Sequence, residues 1–334
     1  MDPRRPERIG FLLFDGFPMA CLTSMIEPMR AANEISKTEE FQWVLVSEGA
    51  AKVMASASVS FETPLSLSAQ LPIDCLIVLS APKVTFTCPH TPGHLRALAR
   101  HGTVLGAVSG GVFPLVRSGV PRRGPISVHW CYEAAFKSEF PDVDYSDQVI
   151  EITPDLMTAS GAAAAFDLSL QLIHTRLGAS LATEVACWFQ HPMMRGSDVR
   201  QAIPAISTAA TTEQALPSRV SRTIEIYSGA LSTPPTLAQV AADIGISTRQ
   251  LERSFKQATG LNPTKYLRRM RMNAARQMVM YTNQPFSNIA ETVGYSSAAT
   301  LKRHYGEAFG LTPKEDRSRI NLFRVSGNVP LPAT

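Results

Sequence analysis

Apolar positions follow two different rhythms along this chain, and the change comes near residue 200. In the first part, short unbroken apolar runs alternate with stretches of helical period. Ile9 to Phe14, Trp43 to Ser47, Cys75 to Ser80, Val104 to Val108 and Val149 to Thr153 read as strands. Thr23 to Ile35, Pro92 to Arg100, Gly110 to Ser118 and Tyr132 to Phe140 read as helices between them. Strands without polar alternation are buried on both faces. The pattern therefore predicts a parallel sheet with helices on either side, an α/β domain of flavodoxin-like, doubly wound type. Gly161 to Arg176 and Leu181 to Phe189 are expected as two more helices packed on that sheet.

In the last third the period is helical throughout, and one pattern is written twice. Leu237, Val240, Ala241 and Ile244 fall at i, i+3, i+4 and i+7, and so do Phe286, Ile289, Ala290 and Val293; each set is one buried helix face. Gly245 and Gly294 follow, where the chain must turn through a left-handed conformation that glycine adopts most easily. Ser247 and Ser296 are placed to cap the next helix. That helix turns Leu251, Phe255 and Ala258 inward in the first copy, and Leu301, Tyr305 and Ala308 in the second. Its outer face carries Arg249, Glu252, Arg253 and Lys256 in the first copy, and Thr300, Lys302 and Arg303 in the second. Helix, tight glycine turn and capped helix is the helix-turn-helix signature. Between the copies, Thr264 to Thr282 predicts one helix of about 28 Å, close to the roughly 34 Å between successive major-groove faces on one side of a duplex. Arg268, Arg269, Arg271 and Arg276 lie on it, some of them on an expected solvent face.

The residues between the two regimes, QAIPAISTAATTEQALPS over 201–218, are small, polar and proline-containing, as linkers are. The expected organisation is an α/β domain over 8–200, a linker over 201–218, an all-α domain with two helix-turn-helix units over 219–320 and a tail over 321–334. A chain of 334 residues with 45% hydrophobic content can bury two cores. Charge separates along the same line. Residues 1–218 carry 16 Lys/Arg against 21 Asp/Glu and residues 219–334 carry 16 against 7, so nets of −5 and +9 make up the +4 of the whole. A polyanionic partner is expected at the basic end, with an affinity that falls steeply with salt. No apolar run approaches the roughly 18 residues of a membrane span, and MDPRRPERIGFLLFDGF lacks a signal peptide's apolar core. The expectation is a cytoplasmic protein without a membrane partner. Cys21, Cys75, Cys88, Cys131 and Cys187 are odd in number and form no C-x-x-C pair, so reduced thiols are expected. No metal cluster or cofactor motif stands out.

One turn in the first part is chemically suggestive. Val104 to Val108 runs into Ser109, Gly110 and Gly111 and then a helix, which puts Ser109 on a sharp strand-to-helix elbow with helix amides beneath it. His129 follows twenty residues later, with Trp130 beside it. Two uses compete: a nucleophilic serine with its base, or a ligand pocket built on the same turn. A serine hydroxyl is hardly ionised near neutral pH, and the order Ser, Asp, His could be filled only by distant residues such as Asp167 and His174, seven residues apart on one expected helix. The pocket is therefore favoured over a catalytic site.

Arg219 to about Arg319 resembles the AraC/XylS transcription regulators, through LAQVAADIGISTRQLERSFKQATGLNPTKYL and FSNIAETVGYSSAATLKRHYGEAFGLTPKEDR. The resemblance implies a sequence-specific regulator of double-stranded DNA, an activator working with RNA polymerase and active as a homodimer. It places base-edge contacts at Arg249, Glu252 and Arg253 and at Ala298, Thr300 and Arg303, with Lys256 and Lys302 on the same helices. Ile9 to Phe189 resembles the PfpI-like branch of the class I glutamine amidotransferase-like superfamily, through FDGFPMACLTSMIEPMRAAN, LGAVSGGVFPLVRSGV, ISVHW and LMTASGAAAAFDLSLQLI. Enzymes of that superfamily have a cysteine on the elbow and an acid near the end of the first strand; here the matching positions hold Ser109 and Cys21. A non-catalytic sensor domain is implied, with an effector held by Cys21, Ser109, Gly110, Gly111, His129 and Trp130. Relatives sharing the EPMRAAN-like start and TPKEDR end regulate breakdown of arginine, glycine betaine or carnitine, which suggests an amino acid, betaine or related amine. The alternative is a hydrolase or amidase using Ser109 and His129.

Overall fold

A computed structural model describes residues 5–68, 70–120, 123–191, 195–196, 198–201 and 216–318. They fall into two compact units, the first ending at Gln201. The expected linker over 201–218 lies mostly outside the described residues, as does the whole of the expected tail over 321–334.

The first unit begins with strand β1 (Glu7–Leu13), helix α1 (Met19–Ser36) and strand β2 (Phe41–Ser47). A short ribbon of β3 (Lys52–Met54) and β4 (Ser60–Glu62) and the edge strand β5 (Leu65–Ser66) lead to β6 (Cys75–Ser80). Then come α2 (Thr91–Arg100), β7 (Val104–Ser109), α3 (Val112–Arg117), β8 (Ile126–Ser127), a 3-10 turn (Trp130–Tyr132) and α4 (Glu133–Glu139). Strands β9 (Tyr145–Ser146), β10 (Ile150–Ile152) and β11 (Leu156–Ala159) and helices α5 (Ala162–Leu177) and α6 (Ala179–Trp188) complete it.

Seven strands form one sheet in the order β10-β11-β7-β6-β1-β2-β5. The five strands from β2 to β11 are parallel and give the order 2-1-3-4-5 of a flavodoxin-like doubly wound fold. Strand alternation fills both faces. Ile9, Phe11, Leu13, Ile77 and Leu79 share one cluster with α1, α5 and α6, while Leu12, Leu76 and Val78 are equally buried outside that cluster. One strand departs from expectation. Val149 to Thr153 was expected in the parallel sheet, but Ile150–Ile152 runs antiparallel along the edge, paired to a strand at Leu156–Ala159 that the pattern did not suggest. Four residues are too few to show a period, and a short reversal needs no crossover helix.

The second unit is helical: α7 (Ser218–Gly229), α8 (Leu237–Ile244), α9 (Thr248–Thr259), α10 (Pro263–Tyr281), α11 (Phe286–Thr292) and α12 (Ala298–Phe309), with a further helical stretch over 313–318. Val220 and Tyr227 of α7, for which the periodicity gave no separate expectation, join Val240, Ala241, Leu251, Phe255 and Tyr266 in the first core. Gly245 (φ 75°) and Gly294 (φ 77°) take the left-handed conformation at the two turns. Ser247 caps α9 in a reciprocal pair with Gln250. In the second copy the cap is Ser297, not Ser296: the amides of Ile246 and Tyr295 close the two turns alike on Ala241 and Ala290, and Ser296 is an extra residue before α12. Ala308 is exposed rather than inward; Phe309 packs on Tyr305 in its place, with ring centroids 4.8 Å apart.

Candidate functional site

Two surfaces hold the residues that the sequence singled out. On α9 the buried stripe of Leu251, Ser254 and Phe255 faces the core and leaves Arg249, Glu252, Arg253 and Lys256 exposed at i, i+3, i+4 and i+7. With Leu251 matched to Leu301, the corresponding positions on α12 are Ala299, Lys302, Arg303 and Gly306. Lys302 and Arg303 are exposed, and Ala298 and Thr300 are half-buried at the capped first turn, where the Thr300 amide donates to the Ser297 hydroxyl. Arg303 lies 4.0 Å from Glu307, one helical turn on, a loose surface pair that leaves its guanidinium available.

The arginines of α10 divide. Arg268 is exposed, but Arg276 is buried, paired to Asp316 at 2.8 Å and stacked over Phe309 at 4.5 Å, while Tyr305 donates its hydroxyl to the same carboxylate at 2.7 Å. Arg271 donates to the carbonyls of Leu231 and Ser232. Sequence spacing put these side chains on one basic helix; packing turned two of them into internal struts.

In the first unit Ser109 is buried and has φ 56°, a left-handed conformation that a non-glycine residue holds only where the surroundings force it. The elbow is forced by close backbone packing. A Cβ on Gly110 would overlap the Ser80 carbonyl, and one on Gly111 would overlap that of Val78, so α3 rests directly on β6. The Ser80 hydroxyl donates to the Gly110 carbonyl at 3.0 Å. The Gly111 amide, expected to face a ligand, instead donates to the Val108 carbonyl at 3.0 Å within the turn.

His129 stands on the same edge of the sheet. The Ser127 amide donates to Thr158 of β11, and the imidazole lies against Gly161, just past the end of that strand. Strand β11 pairs with β7, Ala159 opposite Val108, so one strand spacing of about 4.8 Å separates the two strand ends. His129 Nδ1 accepts the Cys131 amide at 3.2 Å, and burial lowers its pKa. A neutral ring that accepts at Nδ1 carries its proton on Nε2 and presents a donor there. Trp130 and Tyr132 flank it, with ring centroids 5.4 and 5.5 Å away, and Tyr132 meets Phe113 of α3 edge-on at 6.2 Å. Among the described residues no hydrogen bond joins Ser109 to His129.

Cys21 lies at the same end of the sheet, since β1 runs parallel to β6 and β7 and α1 begins just past its carboxyl end. It lies in the first turn of α1, packed in the core, and burial pushes its thiol up to about 12, which keeps it a neutral packing group. Asp15 is the acid that follows β1; its carboxylate accepts the Met54 amide. Asp167 and His174 are not partners. The buried Asp167 carboxylate takes His191 Nε2 at 2.8 Å and Arg195 at 2.7 Å, whereas His174 is exposed. An open cleft of about 800 Å³ lined by Trp43, Leu45, Lys52, Glu62 and Thr63 shares no residue with the elbow. Among the described residues no group of three or more His, Cys, Asp or Glu is gathered to hold a metal ion, and no helix is long and apolar enough to cross a membrane.

Gln201 is the group sequence reasoning missed. Its side chain accepts the Trp130 amide at 2.9 Å and donates to the Val128 carbonyl at 2.8 Å, bracketing His129 from the residue at which the first unit ends. No periodic signal could pair residues more than seventy positions apart. Tyr132 was nearer to hand, as an aromatic three residues after His129.

Residues 240–319 match the family described as a helix-turn-helix domain. The chain is 30% identical over 331 residues to the HTH-type transcriptional regulator GbdR of Pseudomonas aeruginosa, covering 98% of this chain and 89% of that protein. It is 30% identical over 318 residues to the HTH-type transcriptional regulator ArgR of the same species, covering 94% of each. Among solved structures, an AraC family transcriptional regulator from Pseudomonas putida aligns over 55% of this chain and 100% of its own, at 25% identity and a TM-score of 0.50.

Proposed function

The chain belongs to the AraC family of helix-turn-helix transcriptional regulators, and from that premise we propose that α9 and α12 read adjacent major grooves while the α/β unit senses a small nitrogen-containing metabolite. The observation that carries the reading is the repeated build of the second unit: two helices, each seated by a left-handed glycine and a serine cap, each turning arginine outward, joined by α10 of about 28 Å. Arg249, Arg253 and Arg303 suit guanine edges, Glu252 can accept from cytosine, and the Thr300 methyl suits thymine. Lys256 and Lys302 serve as point charges for phosphate. The second helix offers Ala299 and Gly306 where the first has Arg249 and Lys256, so it reads fewer bases.

In the α/β unit the Ser109 hydroxyl and the His129 Nε2–H are donors for a carboxylate, and the Trp130 ring suits a cationic nitrogen. An amino acid, betaine or related amine carries both groups. The protein acts as an activator that works with RNA polymerase, and as a homodimer, since paired half-sites raise specificity without new contacts. Effector binding regulates because it favours one state over the other, and Gln201 gives it a path from the His129 loop to the end of the unit.

The strained Ser109 elbow also favours a second reading, a hydrolase or amidase using Ser109 and His129. Against it, an Nε2 that holds a proton cannot take one from serine. A thermal-melt screen against amino acids, betaines, carnitine and related amines separates the two. A saturable rise in the melting midpoint, lost in Ser109→Ala, supports the sensor. No rise from any compound rejects it, and ester or amide turnover abolished by Ser109→Ala installs the enzyme.

A further inference from the structure

Arg271 joins parts of the second unit that belong to different helix-turn-helix copies. It projects from α10, and its guanidinium donates to the Leu231 carbonyl at 2.9 Å and the Ser232 carbonyl at 3.4 Å, in the loop that leads into α8. The same group lies over the Tyr295 ring at 5.9 Å and against Gly294, where a Cβ would overlap it, so it also grips the turn of the second copy. From there the contact continues. The Tyr295 hydroxyl bonds His304 Nδ1 at 3.0 Å, with ring centroids 5.6 Å apart, and His304 sits on α12 itself. The first copy has Ile246 and Ser254 at the matching positions, and nothing lies within 4 Å of a Cβ at Gly245. The brace is specific to the second turn.

A helix of fixed length sets how far apart two readers stand, but not their rotation about its axis. One base pair of DNA is about 3.4 Å along the duplex and about 34° around it, so a small pivot of α12 relative to α9 changes the spacing at which both find their grooves. We infer that Arg271, acting through Tyr295 and His304, is a positioning residue that fixes the base-pair spacing between the two sequences read by α9 and α12. The inference rests on the two-reader function proposed above. A planar fork that reaches two carbonyls while stacking on a ring is a task for arginine and not for lysine.

Duplexes are selected from a randomised pool by the full chain and by its Arg271→Ala, Arg271→Lys and Tyr295→Leu variants, and the distance between the two enriched sequence boxes is compared. The wild type should enrich, within each half-site, two boxes at one spacing. The variants should keep the same boxes but spread over two or more spacings. On duplexes with one base pair inserted between the boxes, the wild type should lose on the order of tenfold in affinity, the scale of one mismatched base pair, and the variants less than about threefold. A merely structural role would weaken all duplexes alike and leave the spacing single. Should Arg271→Ala fail to fold, Tyr295→Leu, which keeps the carbonyl contacts, decides. Two boxes at unchanged spacing in every folded variant overturn the inference alone; a single box in the wild-type pool overturns the two-reader function and the inference with it.

Discussion

Arg249, Arg253, Arg271 and Arg276 are the same side chain at four places in one basic segment, and burial gives them opposite tasks. Arg276 is neutralised by Asp316, and Arg271 is spent on carbonyls and a tyrosine ring. Arg249 and Arg253 are left exposed, free to exchange water for a base edge. Arg253→Ala or Arg303→Ala is expected to cost about 1–3 kcal/mol on the cognate duplex and to relax sequence preference. Equal loss on every sequence, in competition titrations, would reassign the residue to phosphate. His129 yields a pH prediction. Burial holds its folded pKa below the unfolded value of about 6.5, so the unfolded chain binds the extra proton and stability falls as pH drops through that value. Above it this contribution is fully present. Midpoints measured at pH 7.5 and pH 5.5 should therefore converge in His129→Gln relative to the parent, and an unchanged difference would show that the imidazole is not held neutral.

At the scale of elements, the helix-turn-helix copies were legible because every cue lies within one turn of the next: glycine at the stop, serine at the start, apolar residues at helical spacing. The cap of α12 slipped by one because the turn carries one residue more than its counterpart, which backbone hydrogen bonds reveal and residue type does not. Strand β11 escaped because LMTA is too short to show a period. What anchors α12 was also hidden. Tyr305, Arg276 and Asp316 meet in one buried cluster, although Asp316 lies forty residues from Arg276. Removing the charge of a buried partner strands the other, so Asp316→Ala should destabilise the second unit by about 3–5 kcal/mol. Calorimetry should show that transition moving down while that of the first unit stays in place. A shift of both would mean that the two units do not unfold independently.

For the molecule as a whole, the proposed regulation requires that events at the Ser109 edge reach α9 and α12. Gln201 brackets His129 through the Val128 and Trp130 backbone, so Gln201→Ala should leave effector affinity and basal DNA affinity near their parental values while abolishing the effect of one on the other. Typical coupling is about 1–3 kcal/mol. DNA isotherms with and without the effector read it directly; undiminished coupling in the variant removes Gln201 from the path. The segregated charge makes a companion prediction, a steep fall of DNA affinity with salt that Lys256→Ala should make shallower by about one unit of log–log slope. By itself the sequence determined four of the five parallel strands of a doubly wound sheet, the duplicated helix-turn-helix and most of the side chains exposed on its second helices, because these follow from periods and caps that act over a few residues. Only the tertiary structure decided that Cys21 is core, that the Gly111 amide is already used, that His129 is a donor, and which arginines find internal partners rather than stay exposed. Those outcomes depend on partners tens of residues away, such as Gln201 and Val128 or Arg271 and Leu231, and on the burial that follows once they meet. Local spacing carries no record of either.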